Sequence, residues 1–467
     1  MKRALAGSLA VILLSAALLT GALLTRIARS RQLRLPAAAA QVIQDLRIRM
    51  APETRPDGSA DVVPRIAGDR RPPAVDRIAF IDHSGRVATM DPDGARMRRL
   101  TARGARYAFP TWSPDGLSLA ALGASSSDAG IYLMDDTANA PMEVWHAESG
   151  PEPFYLFWSP DGSQLGYLEG ADAGVRLRIR RRSEGAGPVL AQGTAVFWDW
   201  QGDSRSLLIH GLGNGTSSRL DWLNLPTADG SAAGKVPVLE SLSETPGRFQ
   251  APAISAGNRY VAFGAGSASE PSSLTIVDRG RFKPALHIPH RGQTAMAWSP
   301  QEETLAFVSP PVDAPSFAGS LRLVEMPGGL VRQLANAAVL GFFWSPDGRR
   351  IACFTLGLPR QGERIQAAFA LDAEDIPLEL WVIDVDSGRS RRLLRFRPTR
   401  TFSEQILPFF DQYARSHRFW SPDSSHLVLA IDDPRRGAGI HVLAVDGPDV
   451  GQARRIADGT IGFWSPR

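Results

Sequence analysis

Trp112–Gly116 reads WSPDG, and the same five residues recur at Trp158–Gly162 and Trp344–Gly348. Looser copies are WSPDS at Trp420, WSPQE at Trp298, WSPR at Trp464, WQGDS at Trp200 and ISAGN at Ile254. The copies therefore start at 112, 158, 200, 254, 298, 344, 420 and 464, spaced by 42 to 54 residues with one gap of 76. An internal period in the forties, with four short β-rich runs per unit, is the signature of propeller blades. The unit after Trp298 is clear: TLAFVS, SLRLVEM, LVRQLA and VLGFFWS each read as a strand bounded by Gly, Pro or Asp.

The motif itself reads as a turn. Ser opens a type I turn, Pro fixes φ at its second position, Asp accepts from nearby backbone amides and Gly closes it. The tryptophans Trp112, Trp158, Trp200, Trp298, Trp344, Trp420 and Trp464 are expected between adjacent blades. Asp115, Asp161, Asp203, Asp347 and Asp423 sit in different blades, each with a local turn to serve, so they read as turn residues and not as metal ligands.

The two ends of the repeat array complement each other. RIAFIDH (77–83), RVATMD (86–91) and RMRRLT (96–101) match the last three strands of a unit whose first strand is missing. TIGFWSPR (460–467) matches a first strand and its turn with nothing after it. Pairing them makes eight blades and leaves no open edge between first and last. The expectation is an all-β, eight-bladed propeller over 76–467.

These repeats resemble the TolB-type, WD-like propeller family over 77–467, about five-sixths of the chain. The resemblance implies the fold and points to an exported protein. It implies no activity, because propellers host binders, scaffolds and enzymes alike.

Ahead of the repeats, Lys2 and Arg3 precede an uncharged run from Ala4 to Thr25. As a helix it would reach roughly 33 Å, enough to cross a hydrocarbon core. Arg26, Arg29, Arg31 and Arg34 follow at once, and the small-residue stretch Ala37–Ala40 comes only later. That favours an uncleaved membrane anchor over 1–25. Residues 26–75 read as a basic, Pro-rich linker with a short helix over 37–50. The distal arginines outnumber the proximal cations and by themselves argue for a cytoplasmic ring. The resemblance argues for export. The expectation adopted is a ring outside the cytoplasm on a single-pass anchor in the cell membrane.

The net charge of +4 belongs to this tether. Arg26 to Arg71 holds ten arginines and five acids, and from residue 72 onward 40 basic side chains face 43 acidic ones. A near-neutral ring has no field to steer a polyanion, so nucleic acid is not an expected partner.

There is no G-x-S-x-G elbow, no CxxC and no HExxH, and the three lysines, Lys2, Lys235 and Lys283, fit no phosphate-binding loop. The single cysteine, Cys353, reads as a small core residue. The histidines His83, His146, His210, His287, His290, His417, His426 and His441 are scattered, and only His417 stands on a long loop. No cofactor and no metal are expected.

Two long connections in the blade beginning at Trp344 depart from the repeat, 356–377 and 397–417. Both fall on the face opposite the WSPDG turns. Long loops in a compact repeat commonly carry function. The second loop contains TFSEQILPFFDQYARSH. Pro408 suits a helix start, with Phe409, Phe410 and Tyr413 on one side. Two readings of this helix stand: a lid or docking element, using Phe402, Glu404, Phe409, Phe410, Asp411, Tyr413, Arg415 and His417, or a plug packed into the channel. The expected function is a tethered binding or scaffold module for a protein or cell-envelope ligand. The alternative is a propeller hydrolase or lyase acting on a glycan or peptide at the channel mouth.

Overall fold

A computed structural model describes residues 76–467, except 102–104, 125–128, 136–141, 147–151, 172–173, 182–186, 213–217, 226–238, 244–250, 266–271, 282, 291–293, 310–317 and 358–376. The expected anchor over 4–25, the linker over 26–75 and most of the insertion over 356–377 lie outside the described residues. Among the described residues no helix is long and apolar enough to cross a membrane.

Eight antiparallel sheets succeed one another along the chain. Blade 1 combines Ile78–Ile81, Val87–Met90 and Arg98–Arg99 with the last strand, Ile461–Trp464. Blades 2 to 8 span 106–146, 153–193, 195–243, 253–290, 295–339, 341–396 and 420–458. Strands A to D run from the channel outward in each.

The terminal pairing expected from the sequence is present. Ile461–Trp464 lies antiparallel to Ile78–Ile81, with Ile78 opposite Trp464 and Ile81 opposite Ile461. Both strands are wholly buried. Alternation of buried and exposed residues fails here because each sheet is covered by a blade on both faces, as in any strand packed on two sides.

Blade 8 departs from the four-strand pattern. Its sheet has three strands, and its inner strand is reduced to one bridge between Trp420 and Leu427. The inner segment is reached directly from a helix ending at Ser416, and Arg418 spends its carbonyl on the Trp464 amide of blade 1.

The WSPDG turns have the expected chemistry. In blade 2, Gly116 N–H donates to Ser113 O at 2.8 Å, while Asp115 accepts from Ser113 Oγ and from Leu117 N–H. Asp161 and Asp423 repeat this arrangement. Burial pushes both carboxyls up, but the serine and amide donors outweigh it, so both are held below the usual carboxylate range. Gly116 has φ +71°, and the degenerate copies place Ser204, Asn258 and Ser424 in the same left-handed region.

The tryptophans tie the blades into a hoop. Five indole N–H groups donate to a carbonyl of the preceding blade's inner strand, one residue before that blade's own motif: Trp158 to Thr111, Trp200 to Phe157, Trp298 to Ala253, Trp344 to Ala297 and Trp420 to Phe343, at 3.0 to 3.3 Å, while the Trp464 indole donates to the Asp76 carboxylate. Trp112 reaches Phe463 at 3.4 Å across the ring closure. A buried carbonyl left without a donor is costly, so each bond fixes the angle between neighbours as well as adding energy. Blade 5 has Ile254 in place of Trp, and there the Ile254 amide donates to Asp199 of blade 4 at 2.8 Å.

Candidate functional site

The long connection after blade 7 enters the ring. Residues 402–416 form a π-helical turn (Phe402–Ile406), a 3-10 turn with Pro408 (Leu407–Phe409) and an α-helix (Phe410–Ser416). Phe402 packs on Phe354 and Phe419, Phe410 on Phe342 and Phe343, and Tyr413 on Phe109 and Tyr155. These partners come from blades 2, 3, 7 and 8, so the helix lies across the channel. Glycine at 341 makes room for it, since a Cβ there would stand 2.8 Å from Leu407.

Polar contacts lock the helix end. Tyr155 Oη donates to Gln412 O, and Thr111 Oγ1 donates to Ser416 O at 2.7 Å. Arg415 Nη1 lies 3.4 Å from Asp199 Oδ2 in blade 4. His417 shares a 2.7 Å hydrogen bond with Ser416 Oγ and packs against Phe463 with ring centroids 4.3 Å apart and planes tilted by 57°.

The eight residues singled out on this loop therefore divide. Phe402, Phe410, Asp411, Tyr413 and His417 are buried, while Glu404, Phe409 and Arg415 are half-buried. The helix occupies the position of a plug. Phe409, at the junction of the 3-10 and α segments with φ −124° and ψ 31°, is half-buried and packs at the edge of the core that holds Phe410 and Tyr413. Glu404 pairs with exposed Arg400 at 2.9 Å on the outer side.

Burial sets the electrostatics. Burial pushes the His417 pKa down to about 3, so the imidazole is neutral. The Tyr155 and Tyr413 hydroxyls are pushed up by burial. Asp199 is also raised, chiefly by burial, with Arg415 and the Ile254 amide acting against it.

Between the helix and the turns of blades 5 to 8 lies a cavity of about 300 Å³. Ala414 and Arg415 form its floor, and Ser299, Pro300 and Pro346 of the turns form its rim. The channel is thus a blind pocket opening toward the WSPDG face. Its charged lining residues are Asp199, Arg415 and Arg418. Of these, only Arg415 was picked out from the sequence. The missing signal was there. In the four residues ending at each motif anchor (FPTW, YLFW, FWDW, APAI, AMAW, GFFW, HRFW, IGFW), Asp199 and Arg418 alone carry acidic or basic side chains apart from His417. Among the described residues no group of three His, Cys, Asp or Glu side chains is arranged to hold a metal.

No family model matches the chain, and no curated protein does. Solved propellers match it. The likeness is one of fold. Dihydro-heme d1 dehydrogenase NirN is 15% identical, with TM-score 0.52, over 92% of this chain and 86% of that one. A prolyl endopeptidase is 9% identical with TM-score 0.51 over 77% of this chain, which spans only 50% of that enzyme's length. TolB from Acinetobacter baumannii is 13% identical over 73% of this chain and 79% of its own, and its TM-score of 0.36 is too low to argue from. The chain is an eight-bladed β-propeller, and identities this low carry nothing about activity.

Proposed function

We propose that the chain is a membrane-tethered propeller of the TolB-type repeat family, acting as a binding or scaffold module for a protein or cell-envelope ligand. In this reading residues 4–25 hold it in the cell membrane, 26–75 space the ring from the bilayer, and the ring faces outward. Recognition falls to the face reached by 356–377 and 397–417.

The observation that supports a binding role is the buried helix 402–416. Its aromatics turn inward and its ends are pinned by Tyr155, Thr111 and Asp199, which makes that face a closed, rigid platform. A surface fixed before its partner arrives loses little conformational freedom on binding. A second reading, a hydrolase or lyase working on a glycan or peptide, draws on the blind cavity, where buried Asp199 has a raised pKa beside Arg415.

The test uses the full-length chain extracted from membranes in mild detergent, with bound partners identified after crosslinking. Replacing 358–376 by a short linker is expected to abolish capture while circular dichroism and melting stay unchanged. Undiminished capture overturns the assignment of the face. Glycan or peptide cleavage that disappears with Asp199→Asn would establish the second reading. Retention of the full chain in carbonate-washed membranes, and its digestion by protease added to intact cells, test the tether and the side. A soluble full-length chain, or a protected ring, overturns them.

A further inference from the structure

Two arginines, Arg415 and Arg418, line the blind cavity on the turn face. Arg415 faces Asp199 at 3.4 Å, yet its buried Nη1 and Nη2 make no hydrogen bond. Arg418, exposed to solvent, lines the same cavity, and among the described residues its guanidinium meets no carboxylate and no hydrogen-bond acceptor. Its surroundings disfavour the charge, but arginine stays protonated in proteins. His417 is neutral. Of the two guanidinium groups in the wall, Arg418 is the one that meets no carboxylate, since Arg415 faces Asp199 and has Asp411 buried one helical turn before it.

The walls define what could pair with Arg418. Trp298, Trp344 and Trp420 border the cavity, but each indole N–H is already bonded to a carbonyl of the preceding blade. What they offer inward is hydrocarbon. The room exists because the position before the motif is alanine at Ala253 and Ala297, whereas it is phenylalanine at Phe157, Phe343, Phe419 and Phe463. The polar side-chain groups of the wall without a hydrogen-bond partner are therefore the two guanidiniums and the neutral His417 Nε2, and only the former carry charge.

We propose that this cavity binds the carboxylate of a monoanionic ligand with an apolar body. Arg418 takes the carboxylate oxygens through its planar fork, a geometry that matches carboxylates closely. The tryptophan and phenylalanine surfaces cover the body. A phosphate dianion fits less well, since it would bring a second charge into an apolar-walled pocket with nothing left to pair it. The volume lies at the small end of the range for ligand sites. The carboxylate can belong to a free aryl acid or to the C-terminus of an apolar peptide. The site lies on the face opposite the proposed recognition platform, so the two proposals fail separately.

The experiment is calorimetric titration of the full-length protein with 3-phenylpropionate, 3-phenylpropanamide, N-acetyl-Ala-Phe free acid and inorganic phosphate. One or both carboxylic acids are expected to bind, the amide and phosphate at least about tenfold more weakly. Arg418→Gln is expected to weaken the acids at least about tenfold, with melting temperature unchanged. Ala297→Leu, which fills the wall and leaves Arg418 in place, should do the same and serves if the first variant does not fold. Tighter binding of the peptide acid identifies a chain terminus as the source, and tighter binding of phenylpropionate identifies a free acid. Equal binding of acid and amide, tighter binding of phosphate, an unaffected Arg418→Gln, or no binding of either acid at about 10 mM each overturn the proposal.

Discussion

Arg77 and Ser465 hold each other twice across the closure of the ring: the Arg77 amide donates to Ser465 Oγ at 2.9 Å, and the Ser465 amide donates to the Arg77 carbonyl at 2.7 Å. The Arg77 side chain is buried beside them, paired with Asp91 and bonded to Thr89. The ends of the repeat array are therefore one structural unit. Deleting 459–467 removes the innermost strand of blade 1 and with it Ile461, Phe463 and Trp464, all buried. Loss of a single such side chain costs about 3–5 kcal/mol, so the truncated ring is expected to melt far below the intact protein and to aggregate through its open edge. Thermal melting and size-exclusion chromatography check this; an unchanged melting temperature refutes it.

The indole hoop predicts a graded response. Trp158→Phe keeps most of the packing but leaves the Thr111 carbonyl without its donor, at about 1–3 kcal/mol. Trp158→Ala also opens a cavity, at about 3–5 kcal/mol. Urea denaturation should rank wild type, Phe and Ala in that order. Equal stability of the first two would show that the bond contributes nothing.

His417 gives the plug a pH dependence. Folded, its imidazole stays neutral down to about 3, whereas in the unfolded chain it takes a proton near 6.5. Between those values the unfolded chain binds more protons, so stability falls as pH drops below about 6.5. At pH 5 the loss is about 2 kcal/mol relative to pH 7. Melting curves from pH 7 to 5 should slope less steeply for His417→Gln than for wild type. His441, also lowered by burial, supplies a remaining slope in both. Identical slopes would sink this assignment.

Asp199 and Arg415 predict strong coupling between helix and ring. Their side chains are each 11% exposed, so removing one partner strands the other. Arg415→Met or Asp199→Asn alone should cost about 3–5 kcal/mol, and the double variant less than the sum. A double-mutant cycle measures the difference, and strict additivity would mean the contact is not an energetic pair.

Much of the ring was legible in the sequence because each blade is specified locally. A turn made by Ser, Pro, Asp and Gly needs no distant residue, so WSPDG at 112, 158 and 344 announces three turns directly. The degenerate copies at Trp200 and Ile254 were found by spacing, and their turns use Ser204 and Asn258 where glycine stands elsewhere. The inner strand of blade 8 was overread, because a pattern of residues does not reveal that Arg418 gives its carbonyl to another blade.

The candidate site was less legible. A helix over the FFDQYARSH stretch followed from composition, but which side of it meets protein did not. Helical periodicity placed Phe409 with Phe410 and Tyr413; all three pack in one core, with Phe409 half-buried at its edge where the helical register breaks. The cavity was invisible for a related reason. Asp199, Arg415 and Arg418 are far apart in the chain, and each looks ordinary in its own repeat.

The sequence alone determined the repeat, the turn chemistry, the number of blades and the pairing of 461–464 with 78–81, because these rest on interactions that recur at a fixed period. Only the tertiary structure decided that the helix fills the channel, that the open pocket is on the turn face, and that one arginine there is left without a partner. Those facts depend on the inner segments of eight blades converging on one axis, where side chains from different blades meet at distances that no spacing along the chain encodes.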